Sequence, residues 1–236
     1  MKKTINRTLN YKTGSWLIFC FALASVALAQ IPPSSKEKSY YTDLFAAAVR
    51  GNINQVKSYI VAYENVDIRD SYGRTPLHVA AYGGHHDVMR ILVASGADPN
   101  ALENDRYDIV TIAAVANDLQ TLKVALELGT SAKNITSRYD GTALIAAAHL
   151  GHTEVVQMLI RARAPLDHVN NLGWTALIES IVLGDGGRDH TETLRALINA
   201  GANVNLTDKN GKTPLSLAKA LGYNAMVKLL LKAGAQ

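Results

Sequence analysis

Cysteine is almost absent from this sequence, since its 236 residues include only Cys20. One thiol forms no intramolecular disulfide, so the stability of the fold must come from packing. The motifs of common catalytic and cofactor sites are absent as well: the sequence has no phosphate-binding loop, no nucleophile elbow and no zinc-ligand spacing. We therefore predict a protein without a cofactor or a bound metal, and these absences favour a non-enzymatic function.

Acidic residues are missing from the first 29 positions. Four basic residues up to Lys12 precede an almost wholly apolar stretch, 16–28, that ends in Ala27-Leu28-Ala29. This order is typical of a secretory signal peptide with an A-x-A cleavage site. The apolar run of roughly 14 residues is shorter than the ~20 that a membrane span needs. We predict a signal peptide, residues 1–29, cleaved between Ala29 and Gln30, and a periplasmic or secreted bacterial protein without a membrane span.

The predicted mature chain has no net charge. The signal peptide holds four of the 24 Lys and Arg residues and none of the 20 Asp and Glu residues, so its removal leaves 20 residues of each sign. Proteins that bind nucleic acids present a basic surface. We therefore expect no nucleic acid among the partners of this protein.

A repeat with a period near 33 residues fills the rest of the chain. In the clearest copy, residues 73–100, Thr75 and Pro76 suit the start of a short helix, and Gly84 supplies the left-handed turn that ends it. A second amphipathic helix then runs to Gly96. Such a helix pair buries too little apolar surface alone, so it needs a neighbour on each side.

Six copies align on the helix-start position, which holds Thr42, Thr75, Asp108, Thr142, Thr175 and Thr213. The turn position of the same register holds Gly51, Gly84, Asn117, Gly151, Gly184 and Gly222. We predict copies near residues 42–74, 75–107, 108–141, 142–174, 175–212 and 213–236. Residues 30–41, rich in Pro, Ser and Lys, are expected to form a flexible leader.

The segments TPLHVAA, TALIAAAHLGH, TALIES and TPLSLAK, with the endings GADPN and GANVN, make residues 42–236 similar to the ankyrin-repeat family. The resemblance implies an all-α solenoid of about six helix–turn–helix repeats with short hairpin-like loops. It also implies that the first helices line a concave face, and that histidines such as His78 and His85 hydrogen-bond the backbone between copies. Asp108-Ile109 in place of Thr-Pro, and Arg163 in place of a glycine, depart from the pattern.

Most relatives in that family bind other proteins. We therefore expect a monomeric binding module of the bacterial envelope, whose partner is another protein, for example an envelope enzyme or a toxin. The register places a series of aromatic and polar residues at the loop tips and along the concave face, and these are the predicted contacts: Tyr72, Arg74, Tyr82, Tyr107, Tyr139, His149, Trp174, Asp185 and Arg188.

The fifth copy differs from the others by an insertion at residues 185–189 and by Glu179. The equivalent positions of the other copies are apolar and hold Ala46, Val79, Ile112, Ala146 and Leu217. A buried carboxylate is costly unless it is paired. One hypothesis is that Glu179 braces the inserted loop by accepting its N–H groups or by pairing with Arg188. The alternative is a small ion-binding or catalytic site formed by Glu179, Asp185, Asp189 and His190.

Overall fold

The structure is a computed structural model that describes residues 32–62 and 65–236. Those residues form thirteen helices and no strand, with one isolated bridge between Thr136 and Gly141, so the predicted all-α fold is confirmed. The predicted signal peptide and its cleavage site lie outside the described residues. Within the described part, no helix combines the length and the apolar composition needed to cross a membrane.

Twelve of these helices form six pairs, each made of a first and a second helix. A separate helix, α1 (Ser35–Tyr40), precedes them. The first helices are α2 (Asp43–Val49), α4 (Pro76–Tyr82), α6 (Ile109–Val115), α8 (Ala143–His149), α10 (Ala176–Val182) and α12 (Pro214–Ala220). The second helices are α3 (Ile53–Ala62), α5 (His86–Ala94), α7 (Leu119–Glu127), α9 (Thr153–Arg161), α11 (Arg188–Asn199) and α13 (Asn224–Lys232).

The six aligned helix-start residues are the N-caps of the six first helices. Where Asp108 replaces threonine, its Oδ1 accepts a hydrogen bond of 2.7 Å from the Thr111 N–H. A carboxylate performs the same capping role as a hydroxyl, because either oxygen satisfies a free N–H of the first turn. This departure from the repeat pattern therefore leaves the helix start unchanged.

The turn after each first helix is left-handed in five copies, with positive φ at Gly51, Gly84, Asn117, Gly151 and Gly222. In the fifth copy the predicted turn residue is wrong, because the positive φ of 69° belongs to Gly186 and not to Gly184. A Cβ atom on Gly184 would lie 2.2 Å from the Ser180 carbonyl oxygen, so this glycine allows close backbone packing. The insertion has moved the turn two residues along the chain.

The pairs stack so that first helices pack on first helices and second helices on second helices. At every step the contact between first helices is the more extensive of the two, so the array curves toward the first-helix side. The apolar core runs between the two layers. One row of it is a single repeat position that is buried in every copy: Leu44, Leu77, Val110, Leu144, Leu177 and Leu215.

Loops that we call fingers precede the first helices of copies two to six, at residues 68–74, 101–107, 135–141, 168–174 and 206–212. Main-chain hydrogen bonds join the first four fingers, and they run from Asn104 N to Tyr72 O, from Ser137 N to Arg106 O and from Asn171 N to Tyr139 O. In the described part of the chain, no such bond joins the fourth finger to the fifth. There, Lys209 Nζ donates to the Asn171 carbonyl oxygen instead.

Helix α1 lies within residues 30–41, which we expected to form a flexible leader. A capping box between Ser34 and Glu37 begins it, with both side chains bonded to the other residue's N–H. Glu37 Oε1 then pairs with Arg74 Nη2 at 2.5 Å on the first finger. This part of the leader is therefore helical and docked, because Glu37 of the capping box also pairs with a buried arginine of the first finger.

Candidate functional site

The predicted contact residues do not all reach the surface. Tyr72 is 40% exposed, and Tyr82, Tyr139 and Trp174 are half-buried. Tyr107, in contrast, is 4% exposed and packs in the core. Its prediction as a finger-tip contact is therefore wrong, and burial raises the pKa of its hydroxyl to about 12. We call the concave side of the first helices, together with the adjacent side of the fingers, the groove. The other four aromatic residues lie on the fingers or at the end of a first helix.

Arg74 is also buried, with 1% exposure, so its prediction as a partner contact is wrong as well. Its guanidinium pairs with Glu37 and with Asp70, at 2.7 Å between Nε and Oδ2, and lies 4.4 Å from the centre of the Tyr72 ring. A side-chain hydrogen bond with Ser34 and the pairing with Arg74 lower the pKa of Glu37 to about 2. This arginine therefore fastens α1 to the first finger.

A polar side chain at one repeat position closes each finger by accepting backbone N–H groups. These residues are Asp70, Glu103, Ser137, Asn170 and Asp208. In the fourth finger, Asn170 Oδ1 accepts from the N–H groups of Leu172 and Trp174, both at 3.0 Å. This position was not predicted from the sequence, although an acidic, amide or hydroxyl residue lies five places before each of these helix starts.

Asn170 is the amide that makes Glu179 compatible with burial. Its Nδ2 donates to Glu179 Oε1 at 2.8 Å, and Glu179 is 3% exposed. An aspartate at position 170, as in the first and fifth fingers, would place two carboxylates together. Glu179 therefore braces the fourth finger, whereas the first hypothesis had it bracing the inserted loop. Arg188, its other suggested partner, is exposed.

The second carboxylate oxygen of Glu179 differs from the first in its hydrogen bonding. Oε2 is buried and makes no hydrogen bond. His149 Nδ1 lies 3.3 Å from it, within ion-pair distance, and the His149 side chain is 16% exposed. The predicted contact residue His149 thus covers a buried carboxylate oxygen without satisfying it by a hydrogen bond.

The last two residues of the fifth-copy insertion, Arg188 and Asp189, begin a helix, and residues 185–187 form the connection that leads into it. Helix α11 has twelve residues with Gly187 as its N-cap, and Asp185 Oδ1 accepts from the Gly187 N–H at 2.8 Å. The hydrogen bonds with Gly187 and His190 lower the pKa of the exposed Asp185 carboxyl. A Cβ on Gly186 would meet the ring of Tyr223 at 2.3 Å, so the insertion packs against the last copy.

The four residues of the alternative hypothesis do not converge. Asp185 and His190 contact each other at 3.0 Å, and His190 Nε2 lies 2.9 Å from the backbone oxygen of His149. Glu179 faces the His149 ring, and Asp189 contributes its backbone oxygen to Thr153. Within residues 32–62 and 65–236, no group of three or more His, Cys, Asp or Glu side chains is placed to hold a metal ion.

Histidines at the repeat positions contact backbone oxygens, and three of the four contacts below join neighbouring copies, as the resemblance implied. The contacts are those of His78 with Tyr107, His85 with Val49, His152 with Ala114 and His190 with His149. Burial lowers the pKa of His78 to about 4. At neutral pH this ring is uncharged, so its Nδ1 accepts from the Thr75 N–H and its Nε2–H donates to the Tyr107 oxygen.

Comparisons with known proteins give a consistent result. A family model described as ankyrin repeats (3 copies) matches residues 19–103, 110–208 and 186–236. The chain is 32% identical to the putative ankyrin repeat protein YahD of Escherichia coli (strain K12), over 84% of this chain and 98% of YahD. It is 42% identical to an ankyrin repeat domain from Acinetobacter baumannii AYE, with a TM-score of 0.76 over 82% of this chain and 98% of that structure. A longer relative, the B-cell lymphoma 3 protein homolog of Mus musculus, is 29% identical, and this chain spans 44% of its length.

Proposed function

We propose that this chain, which belongs to the ankyrin-repeat family, is a non-enzymatic module of the bacterial envelope that recognises a protein partner through its groove. Ankyrin repeats are a generic protein–protein interaction module, and the solenoid fold of this chain is the fold of that family. The envelope, the use of the groove and the kind of partner are our proposal.

The partly exposed aromatic residues of the groove support the proposal most directly. Tyr72, Tyr82, Tyr139 and Trp174 come from consecutive copies and lie on the fingers or at the end of a first helix. Tyrosine and tryptophan combine a large contact area with a polar group, and such residues supply much of the binding energy at protein interfaces. Asp185 and Arg188, both exposed at the start of α11, lie outside this series.

The proposed location rests on the first 29 residues, with their basic start, apolar stretch and Ala27-Leu28-Ala29 ending. In the envelope the partner is an enzyme that the module stabilises or a toxin that it neutralises. We expect N-terminal sequencing of the protein purified from its own cells to begin at Gln30. A soluble cytoplasmic form that retains Met1 would contradict export, while leaving partner binding by the groove open to its own test.

Replacing Trp174 by alanine tests the groove. The partner is first captured from envelope extract by cross-linking and identified, and its dissociation constant is then measured by calorimetry. We expect Trp174→Ala to weaken binding at least tenfold, about 1.4 kcal/mol, because a half-buried ring loses its contact area with the partner. The melting temperature should change little.

Tyr40→Ala is the matched control, since Tyr40 is a 70% exposed aromatic residue on α1. This substitution should leave the affinity unchanged. If Trp174→Ala lowers the melting temperature but leaves the affinity of the folded protein intact, then the ring is structural and the partner binds elsewhere.

A further inference from the structure

We propose that the groove recognises a basic side chain of its partner, an arginine or a lysine, through the buried carboxylate of Glu179. This inference rests on the proposed function, and it specifies the chemistry of the partner segment that enters the groove at the fifth copy.

The position of Glu179 in the repeat singles it out. The equivalent positions of the other five copies form an apolar row of alanine, valine, isoleucine and leucine along the first helices. A carboxylate in such a row loses its hydration without gaining a cation. Within the described residues its contacts are an amide and an imidazole, Asn170 and His149. Among the described residues, no lysine or arginine lies within ion-pair distance of this carboxylate.

The two oxygens of this carboxylate differ in their hydrogen bonding. Oε1 is held by Asn170, whose own oxygen is fixed by two N–H groups of the fourth finger. The carboxylate is thereby fixed in direction. Oε2 has no hydrogen bond, and an unsatisfied buried acceptor is the state that a new donor improves most. An ammonium or guanidinium group supplies both the hydrogen bond and the missing positive charge.

The His149 ring acts as a movable cover over Oε2. It lies 3.3 Å from that oxygen, and the contacts of the described residues include no hydrogen bond to its ring. The backbone at His149 is held, because its oxygen contacts His190 Nε2 at 2.9 Å. The proposal therefore requires the His149 side chain to rotate away from Oε2.

The surroundings favour a cation over a neutral donor. Trp174 lies on the same finger as Asn170 and is half-buried, and an indole ring is the aromatic group that binds a cation most strongly. The arginines of the neighbouring fingers do not compete, because Arg106 pairs with Asp140 and Arg138 pairs with Asp105.

A random peptide library displayed on phage provides the probe. The wild-type protein is used for selection, and the enriched peptides are synthesised and measured by fluorescence polarisation. We expect the enriched peptides to share an arginine or a lysine. Replacing that residue by norleucine should weaken binding to the wild-type protein at least tenfold, and should have little effect on binding to Glu179→Gln, whose affinity is already reduced.

Glu154→Gln is the matched control because it makes the same chemical change at an exposed residue of α9. It should bind the peptides like the wild type, and the melting temperatures of both variants establish that they are folded. A second variant, His149→Lys, places an ammonium group beside Oε2 within the protein itself. We expect it to abolish selection of basic peptides and to raise the melting temperature.

Three outcomes would overturn the inference: enriched peptides that share no basic residue, peptides that bind Glu179→Gln as tightly as the wild type, or unchanged peptide binding by His149→Lys. If, in any of these cases, the enriched peptides still bind Trp174→Ala more weakly than the wild type, peptide binding by the groove is supported. Only the recognition of a basic side chain by Glu179 is then refuted. If no peptide is enriched, both the inference and the use of the groove for peptide segments fail.

Discussion

At the scale of single residues, Arg163 is the clearest case of backbone strain. Its φ is 61°, whereas the equivalent residues after the other second helices are Gly96, Gly129, Gly201 and Gly234, with φ between 83° and 98°. A side chain in the left-handed region costs about 1–2 kcal/mol, and glycine avoids this cost. The loop after α9 therefore has the same shape as the loops of the neighbouring copies, although arginine disfavours a positive φ.

We expect Arg163→Gly to stabilise the protein by about 0.5–1 kcal/mol, because the relief of strain exceeds the larger chain entropy of glycine. The measurement is the urea midpoint followed by circular dichroism. Arg161→Gly, the same change two residues earlier in helix α9, should be destabilising, since glycine is a poor helix former. A lower midpoint for Arg163→Gly would mean that the arginine side chain makes a contact that outweighs the strain.

Single residues also show where sequence was sufficient. Thr75 and Asn117 behave as predicted, since each property follows from the repeat period and from local geometry. Tyr107 and Arg74 do not, because the residue just before each first helix can point to solvent or inward. The direction of this side chain depends on contacts with other parts of the chain: Glu37 for Arg74, and the packing of the core for Tyr107. The repeat register carries no information about such contacts.

At the scale of elements, α1 and the first finger are joined by the network of Glu37, Arg74 and Asp70. The pKa of Glu37 is about 2 in the folded protein, below its ordinary value of 4.5. A depressed pKa means that this carboxylate stabilises the docked helix above about pH 4.5, and that the contribution is lost as the pH falls toward 2.

We therefore expect Glu37→Gln to lower the melting temperature at pH 7 and to have a progressively smaller effect between pH 4.5 and pH 2. The expected loss at pH 7 is roughly 0.2–1 kcal/mol, the range of ion pairs that are partly exposed. Calorimetric melting curves of both proteins over this pH range provide the measurement. A difference that stays constant with pH would show that the ion pair does not stabilise the docked helix.

The other elements that sequence misplaced are the fifth turn and the insertion. The extra residues were expected to form a surface loop, and residues 185–187 do lie outside the helices, but Asp185 accepts from the Gly187 N–H and Gly186 packs against the Tyr223 ring. The partner of Glu179 was missed for a similar reason. Asn170 lies nine residues upstream on a finger, and only the folded finger brings its amide to the carboxylate.

At the scale of the whole molecule, stability is distributed along a row of stacked helix pairs, and the extensive helix contacts among the described residues lie within a pair or between neighbouring pairs. We expect Leu144→Ala, at a site with 0% exposure, to cost roughly 2–5 kcal/mol through the cavity that it leaves. Addition of a chelator should leave the melting curve unchanged. Thermal melting of the wild type and the variant, with and without chelator, checks both statements, and a large chelator shift would reveal a structural metal.

The fingers give the array an unequal stiffness along its length. Main-chain hydrogen bonds connect the first four fingers, whereas in the described part of the chain the hydrogen bond between the fourth finger and the fifth comes from a lysine side chain. A side-chain bridge tolerates more relative movement than paired backbones, because the lysine has several rotatable bonds. We therefore expect the last copy to move more readily relative to the fourth finger than the first four fingers move relative to one another.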